Sequence, residues 1–327
     1  HNSTEEEKAE YGRPLPMLCV WSKTLDGAHH KCRACVCGNF ADLDPTQQSW
    51  TAQAEPSSLI SALPVGVKEG WIVSKHDVKG AFLNAKMPEG RIVVVQPPDQ
   101  WVKWGLVEKD TFWTLDKAVY GLRESPALWS QERDKQLTAL RWNVGRRVFR
   151  LKQCIGDSQV WVIKEDDENR PAILGLVIVY VDDFLISCKT GEVRETFLTS
   201  LAKLWKLDKE EVLTTSKSLT FLGIELVLQE NGDIKLTQEK FLMSILEKYG
   251  MSTAKGATSV QIDRFPDVES KPDPRMLKEL QGHSGEFNWL STRTRPDISY
   301  YVSLLASACT KHGKWSRDLA YKILRFL

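Results

Sequence analysis

A chain of 327 residues with 44 Lys and Arg against 43 Asp and Glu carries a net charge of only +1, so charge alone would not fix it to nucleic acid or to an anionic membrane. Hydrophobic residues make up 42% of the chain, enough for two or three subdomains with a sizeable core, yet no apolar run reaches membrane-spanning length. Seven cysteines, an odd number, without a secretory signal point to free thiols in a reducing, intracellular compartment.

In chain order, the opening HNSTEEEKAE and the mixed polar residues after it read as a flexible end. KCRACVCGNF, Lys31 to Phe40, has strand character. With His29 and His30 beside Cys32, Cys35 and Cys37 a zinc site is conceivable, but a strand would send Cys35 and Cys37 to one face and Cys32 to the other, which disfavours it. Strands are expected to dominate from Ser61 to Trp101, among them WIVSKHD, which ends at Asp77 before Gly80 and a helical turn. Ser125 to Leu140 opens on Pro126 and shows apolar residues at helical spacing.

From Lys135 to Lys152 the basic residues Lys135, Arg141, Arg146, Arg147, Arg150 and Lys152 are interleaved with Trp142 and Phe149, with no acid among them. Such a run is either a solvated face or a track along a nucleic-acid backbone, and its position between two carboxylate-bearing strands favours the track. LGLVIVYVDDFLIS then predicts strand Leu174 to Val181, a turn at Asp182 and Asp183, and strand Phe184 to Cys188. Helix Glu192 to Leu207, strand Leu219 to Leu228 and a hairpin turn at Asn231-Gly232 follow. A helix from Gln238 is capped at Gly250, and Lys311 to Arg325 is a second basic helix. Strands and helices are mixed rather than alternating, which argues for α+β.

Asp182 and Asp183 place two charges where burial should forbid them. Aspartate is also a common turn residue, so a plain surface hairpin is the competing reading. Asp77, at the end of a second strand, tips the balance. If the two strands are neighbours in one sheet, three carboxylates meet, and divalent cations would relieve their repulsion and support in-line nucleotidyl transfer, the chemistry of polymerases and nucleases.

The motifs lead further. Tyr180-Val181-Asp182-Asp183 resembles the YxDD box of reverse transcriptases, and the blocks around it resemble the copia-type branch of the LTR retrotransposons. KCRACVCGNF resembles the family's KARLVVCGNF, DVKGAFLN at Asp77 to Asn84 its DVKTAFLN, and VVVQPPDQW at Val93 to Trp101 its YMxQPxGF. KAVYGLRESPALW at Lys117 to Trp129 is similar to KSLYGLKQSPRxW, FLGIE at Phe221 to Glu225 to FLGIEI, and TRTRPDISYYVS at Thr292 to Ser303 to TRPDIxYAVS. The chain departs from the family at Cys37, where a Lys is often found, and in WTAQAEPSS at Trp50 to Ser58, where an SPV-like signature is usual.

The resemblance implies an α+β right-hand polymerase with fingers, palm and thumb, and an antiparallel palm sheet carrying the YVDD hairpin. It divides the chain into a flexible segment (1–20), fingers with the start of the palm (21–75), palm with the first catalytic aspartate (76–100) and a fingers and palm floor (101–130). Palm with hairpin and primer grip (131–228) and thumb with the start of a connection (229–327) follow. By the same resemblance Asp77, Asp182 and Asp183 are catalytic, and with Val78 they hold two magnesium ions, for which manganese could substitute. Lys31, Arg33, Val78, Phe82, Tyr120 and Gly121 would bind the deoxynucleoside triphosphate, with Phe82 under its sugar and Gly121 allowing close backbone approach. Tyr180, Arg123, Ser125, Pro126, Leu222 and Gly223 would touch nucleic acid, the last two as primer grip, and GEFNW at Gly285 to Trp289 would belong to a thumb helix.

The expected activity is RNA-directed DNA synthesis on an RNA or DNA template-primer from dNTPs. The expected partners are the RNase H and integrase parts of the same polyprotein, and the expected location a cytoplasmic virus-like particle or the nucleus, without membrane attachment. The alternative is a truncated or repurposed remnant that binds nucleic acid without catalysis.

Overall fold

The computed structural model describes residues 1–6, 11, 13–23, 30–42, 49–167, 169–170 and 172–327. The chain forms two compact units, residues 1–54 with 69–211 and residues 55–68 with 212–327. The mixture of helices with largely antiparallel sheets, in which the strands Leu15–Lys23 and Val94–Gln96 pair in parallel, is α+β, as the sequence leads one to expect.

In chain order the strands of the first unit are β1 (Leu15–Lys23), β2 (His30–Val36), β3 (Ile72–Asp77), β4 (Val94–Gln96), β5 (Trp113–Thr114), β6 (Arg141–Val144), β7 (Arg147–Gln153), β8 (Val160–Glu165), β9 (Ile173–Tyr180) and β10 (Asp183–Cys188), with β11 (Glu211–Val212) where the chain leaves it. One sheet has the order β2-β1-β4-β5 and a core of Leu15, Met17, Val36, Val93, Val95 and Leu122. The flexible end expected through residue 20 therefore gives way at Leu15 to a strand whose inward side chains are anchored in that core.

The second sheet has the order β11-β3-β10-β9-β8-β7-β6. Its central strands read as unbroken apolar runs because both faces are covered: Val177, Ile178, Val179, Phe184, Leu185 and Ile186 are at most 2% exposed. Helices Ser125–Ala139 and Glu192–Leu204 supply Trp129, Leu137, Phe197 and Leu201 to the core beneath Val177, Val179, Phe184 and Ile186. Truncating a large side chain at such positions typically costs about 3–5 kcal/mol.

Within the basic run from Lys135 to Lys152, the arginines on the two strands have acidic partners. Trp142 and Phe149 lie in the core, Arg141 and Arg150 each meet Asp166 at 2.9 Å, and Arg147 meets Glu165 at 2.6 Å. Acids that follow later in the sequence answer the arginines across the sheet, an arrangement that the run itself could not reveal.

In the second unit β12 (Leu219–Phe221), β13 (Ile224–Leu228) and β14 (Ile234–Thr237) form an antiparallel meander. Leu219 to Leu228 is thus two strands rather than one, broken at Leu222-Gly223. Pro56–Lys68 is a helix where strands are expected to dominate, with Leu59 and Leu63 buried one helical turn apart. The last three helices, Pro274–Ser291, Ser299–Ala308 and Gly313–Phe326, close over Leu280, Phe287, Leu290, Val302, Leu305, Leu319 and Ile323. Asp273 starts the first of them by accepting a hydrogen bond from the Met276 amide at 2.8 Å, with Pro274 in the first turn. No described helix is long and apolar enough to cross a membrane.

Candidate active site

Asp77 ends β3, Asp183 opens β10, and the antiparallel register sets the two opposite each other. Opposed residues on antiparallel strands share a face, so both carboxylates project to the same side of the sheet. Asp183 also pairs with Tyr180, so the hairpin closes through only two residues, Val181 and Asp182. The turn therefore lies one residue earlier than at Asp182 and Asp183.

Val181 has a φ of +55°. A positive φ at the first loop position alone has the sign pattern of a type II′ turn, which normally takes glycine there, and a β-branched residue in that conformation is strained. The Val181 carbonyl accepts hydrogen bonds from Trp129 Nε1 at 2.8 Å and from Arg133 Nη1 at 3.3 Å. Both donors ride helix Ser125–Ala139 four residues apart, hence on one face, and both are 1% exposed. The buried Arg133 also donates to Gln159 Oε1 at 2.7 Å and to Asp134 Oδ1 at 2.9 Å. From β3's end, the Val78 amide donates to the Asp182 carbonyl at 3.0 Å. The strained tip is thus fixed from the helix on one side and from the neighbouring strand on the other.

The electrostatics follow from this packing. Burial, then repulsion from Asp182, Asp183 and Asp208, pushes the Asp77 carboxyl up to about 6 against the pull of Lys75. Asp182 is raised as well, chiefly by burial and further by Asp183, while its own backbone hydrogen bond, Lys75 and Arg33 oppose the shift. Lys75, two residues before Asp77 on β3, holds its Nζ 3.0 Å from Asp183 Oδ1. Asp208 reaches the cluster because its amide donates to the Asp77 carbonyl at 2.9 Å, and its carboxylate pairs with Lys79.

Three carboxylates without nitrogen or sulfur donors form a hard oxygen set that suits magnesium or manganese, and such an ion would offset the burial and the repulsion that together lift Asp77. Among the described residues, no three His, Cys, Asp or Glu side chains converge closely enough to enclose an ion as they stand. Val78 is 1% exposed, and its side chain has no donor atom, so it could add only its main-chain carbonyl.

A second group sits close to the carboxylates. Arg33 on β2 lies over the Tyr120 ring at 5.7 Å, and the Phe82 ring is 4.8 Å from that of Tyr120. Burial raises the Tyr120 hydroxyl, Asp182 raises it further, and Arg33 opposes, which ties this aromatic patch to the carboxylates electrostatically. Phe82 is set by a short helical turn, Ala81–Asn84, that Gly80 starts in the left-handed region at φ +60°. Asn84 Nδ2 closes that turn on the Gly80 and Ala81 carbonyls, both at 3.2 Å.

Tyr120 is held against the end of β2 by the Val36 amide, which donates to its carbonyl at 2.8 Å. A Cβ on Gly121, at φ +92°, would fall 2.0 Å from the Val36 carbonyl oxygen. The close approach that Gly121 permits is therefore to the protein's own backbone. Lys31 lies two residues from Arg33 on the same face of β2, and Cys37 lies just past the strand's end. The seven cysteines are free, and His29 of the zinc reading lies outside the described residues.

Of the residues expected at nucleic acid, Tyr180 is half-buried at the end of β9 and Pro126 opens the helix that carries Trp129. Arg123 donates to the Asn39 carbonyl at 3.3 Å. Ser125 is fully buried and gives its hydroxyl proton to the Val119 carbonyl at 2.6 Å, so it braces the helix start and presents nothing outward. Leu222 and Gly223 belong to the second unit rather than to the sheet that carries the hairpin. With φ +54° and +73° they form the two-residue turn between β12 and β13, the sign pattern of type I′. Arg293 Nε donates to the Leu222 carbonyl at 3.1 Å while its guanidinium stacks 3.2 Å from the Trp289 ring centroid. Trp289 lies on helix Pro274–Ser291, where GEFNW is expected to be helical.

Sequence reasoning missed Lys75, Asp208, Trp129 and Arg133 as parts of the site. The i, i+4 spacing of Trp129 and Arg133 on an expected helix was the available signal, since an arginine on an otherwise apolar face needs an acceptor.

The family model described as "Reverse transcriptase (RNA-dependent DNA polymerase)" matches residues 12–262. The transposon Ty5-1 protein of Saccharomyces cerevisiae is 26% identical over 255 residues, covering 77% of this chain and 74% of its own length. The retrovirus-related Pol polyprotein from transposon RE2 of Arabidopsis thaliana is 27% identical over 288 residues, covering 86% of this chain, which spans only 18% of that polyprotein. A solved foamy viral protease-reverse transcriptase, in complex with double-stranded DNA, aligns with 95% of this chain and 44% of its own at 15% identity and a TM-score of 0.46. Since the family model covers well over half of its length, the chain belongs to the reverse transcriptase (RNA-dependent DNA polymerase) family.

Proposed function

We propose that this chain is the polymerising core of a copia-type retrotransposon Pol protein and adds deoxynucleotides to a primer paired with an RNA or DNA template. The observation that supports this most is the opposition of Asp77 and Asp183 across β3 and β10, with Asp182 at the tip of a strained and buried-pinned hairpin. Backbone strain of this kind persists only where the surroundings over-determine it, and it clusters at functional sites.

Asp77, Asp182 and Asp183, with the Val78 carbonyl, would hold two magnesium or manganese ions, which when bound supply charge stabilisation for the attacking and leaving oxygens. The remaining work falls to the chain's own groups. Arg33, with Lys31 beside it, neutralises the triphosphate, and its planar guanidinium can take two phosphate oxygens at once. Phe82 and Tyr120 provide an apolar floor for the sugar and base of the incoming nucleotide. Tyr180 and Arg123 lie along the template strand, and the Leu222-Gly223 turn aligns the primer end.

In this reading the β3-β10-β9-β8-β7-β6 sheet is the palm, the β2-β1-β4-β5 sheet belongs to the fingers, and the helices from Pro274 onward form the thumb. RNase H and integrase activities come from other parts of the same polyprotein, and the chain works inside the cell on reverse-transcription intermediates. The test is primer extension by the purified chain on an RNA template with magnesium, beside Asp182→Asn at matched template affinity. Extension by the wild type that is lost in the variant supports the reading. Tight binding of the hybrid with no extension by either protein would instead indicate a nucleic-acid-binding remnant.

A further inference from the structure

Lys75 occupies a position that the proposed function leaves without a role. It stands on β3 two residues from Asp77, so its side chain leaves the sheet on the carboxylate face. Its ammonium sits 3.0 Å from Asp183 Oδ1, with both side chains only about a quarter exposed, at 22% and 26%. It also counters the charge of Asp77 and Asp182. Lys75 is thus a resident cation paired with Asp183 and near enough to Asp77 and Asp182 to offset their charge.

We propose that Lys75 is a built-in competitor for the divalent cation, holding Asp183 in the metal-free chain and yielding it when an ion binds. This rests on the reading of Asp77, Asp182 and Asp183 as the metal-holding set. Two consequences separate it from a structural ion pair. Lys75 lowers the chain's affinity for the ion, because an arriving cation meets a positive charge and must break the Lys75–Asp183 pair. Lys75 also stabilises the metal-free fold, because without it three carboxylates face one another with less compensation. A merely structural lysine would show the second effect without the first.

The experiment is manganese binding to the full chain without nucleotide or nucleic acid. It is followed by the loss of the free-ion electron paramagnetic resonance signal, for wild type, Lys75→Gln, Lys75→Arg and Asp182→Asn. Lys75→Gln is expected to bind manganese about two- to fivefold more tightly than wild type, the range that a partly exposed ion pair commands. Lys75→Arg, which keeps the charge, is expected to bind like wild type. Thermal melts add a second readout: Lys75→Gln melts lower than wild type without metal and gains more on adding manganese, since tighter binding to the folded state stabilises it more.

Unchanged or weaker binding by Lys75→Gln, while Asp182→Asn abolishes binding, would overturn the competitor role and leave the metal site standing. Wild-type binding that survives Asp182→Asn would show that the carboxylates do not hold the ion, and the proposal would fall with that reading. If Lys75→Gln does not fold, Lys75→Arg and the manganese-dependent melting of the wild type decide. Tighter binding by Lys75→Arg than by wild type would contradict the proposal, because the competing charge is still present.

Discussion

Three carboxylates stand at the end of one strand and the tip of a hairpin, where burial and then mutual repulsion raise Asp77 and Asp182. Asp77 has a carboxyl at about 6 in the fold against an ordinary value of 3.8, so between these values the folded state binds more protons than the unfolded state. Stability contributed by this group is therefore present below about pH 4 and lost as the pH rises through about 6. Asp77→Asn is expected to stabilise the metal-free chain by about 1–2 kcal/mol at neutral pH and by little at pH 4, after allowance for solvent screening. Urea unfolding at the two pH values checks this, and equal effects at both would refute the raised Asp77 carboxyl.

Arg133 makes the opposite case, a buried charge whose partners are complete. Removing its guanidinium leaves Gln159 Oε1, Asp134 and one of the two hydrogen bonds to Val181 unanswered. Arg133→Met is expected to cost about 2–4 kcal/mol by urea titration. It should also slow nucleotide incorporation by loosening the hairpin tip, whereas a stability loss with unchanged turnover would make Arg133 purely structural. Asp77, Asp182 and Asp183 were legible in the sequence because charge stood inside apolar runs. Lys75 was not, because an ion pair across strands depends on register, which no local pattern specifies, and for Arg133 the helical spacing from Trp129 signalled a need for an acceptor without naming the Val181 carbonyl.

At the scale of elements, the strand and helix boundaries around the site follow from chemistry that the sequence carries openly. Pro126 marks a helix start, a run of Val, Ile and Leu marks a strand buried on both faces, and Asn231-Gly232 marks a hairpin. The errors have a common cause. Leu15 and Met17 stand in the apolar run Leu15 to Trp21 but gain a core from β4, about eighty residues away in sequence, and Leu222, in the left-handed region of a two-residue turn, has its carbonyl taken by Arg293. Tertiary partners bear on both.

The junction of β2 with the Tyr120 loop makes the same point. Two glycines meet there, and a Cβ on either would fall within 2.3 Å of a carbonyl oxygen of the other segment. Gly121→Ala is expected to lower stability by about 3 kcal/mol or more, through both the clash and the φ of +92°. It should also separate Arg33 from Tyr120, which a fall in triphosphate affinity would report in those molecules that still fold. A well-folded variant with unchanged affinity would contradict the proposed joint role of the two segments.

For the whole molecule, composition was nearly silent and motif order was informative. A net charge of +1 gave no hint of nucleic acid, and in the run that looked like a basic track Arg141, Arg147 and Arg150 are paired with Asp166 and Glu165. Arg147→Gln is accordingly expected to change affinity for an RNA–DNA hybrid by less than about twofold and to leave the salt dependence unaltered. A shallower slope of affinity against salt would show that this arginine meets phosphate after all. What joins the strands, the hairpin and the Arg33–Tyr120 patch into one reading is the proposition that the carboxylates at the end of β3 and on the β9-β10 hairpin carry templated synthesis. Single-turnover addition of one deoxynucleotide to a primer on RNA, with magnesium and saturating protein, tests it most directly when wild type is compared with Asp77→Asn. The complementary nucleotide alone should be added by the wild type, with a loss of roughly a thousandfold in the variant, as expected when a group worth several kcal/mol in the transition state is removed. Addition at the wild-type rate by Asp77→Asn would contradict it.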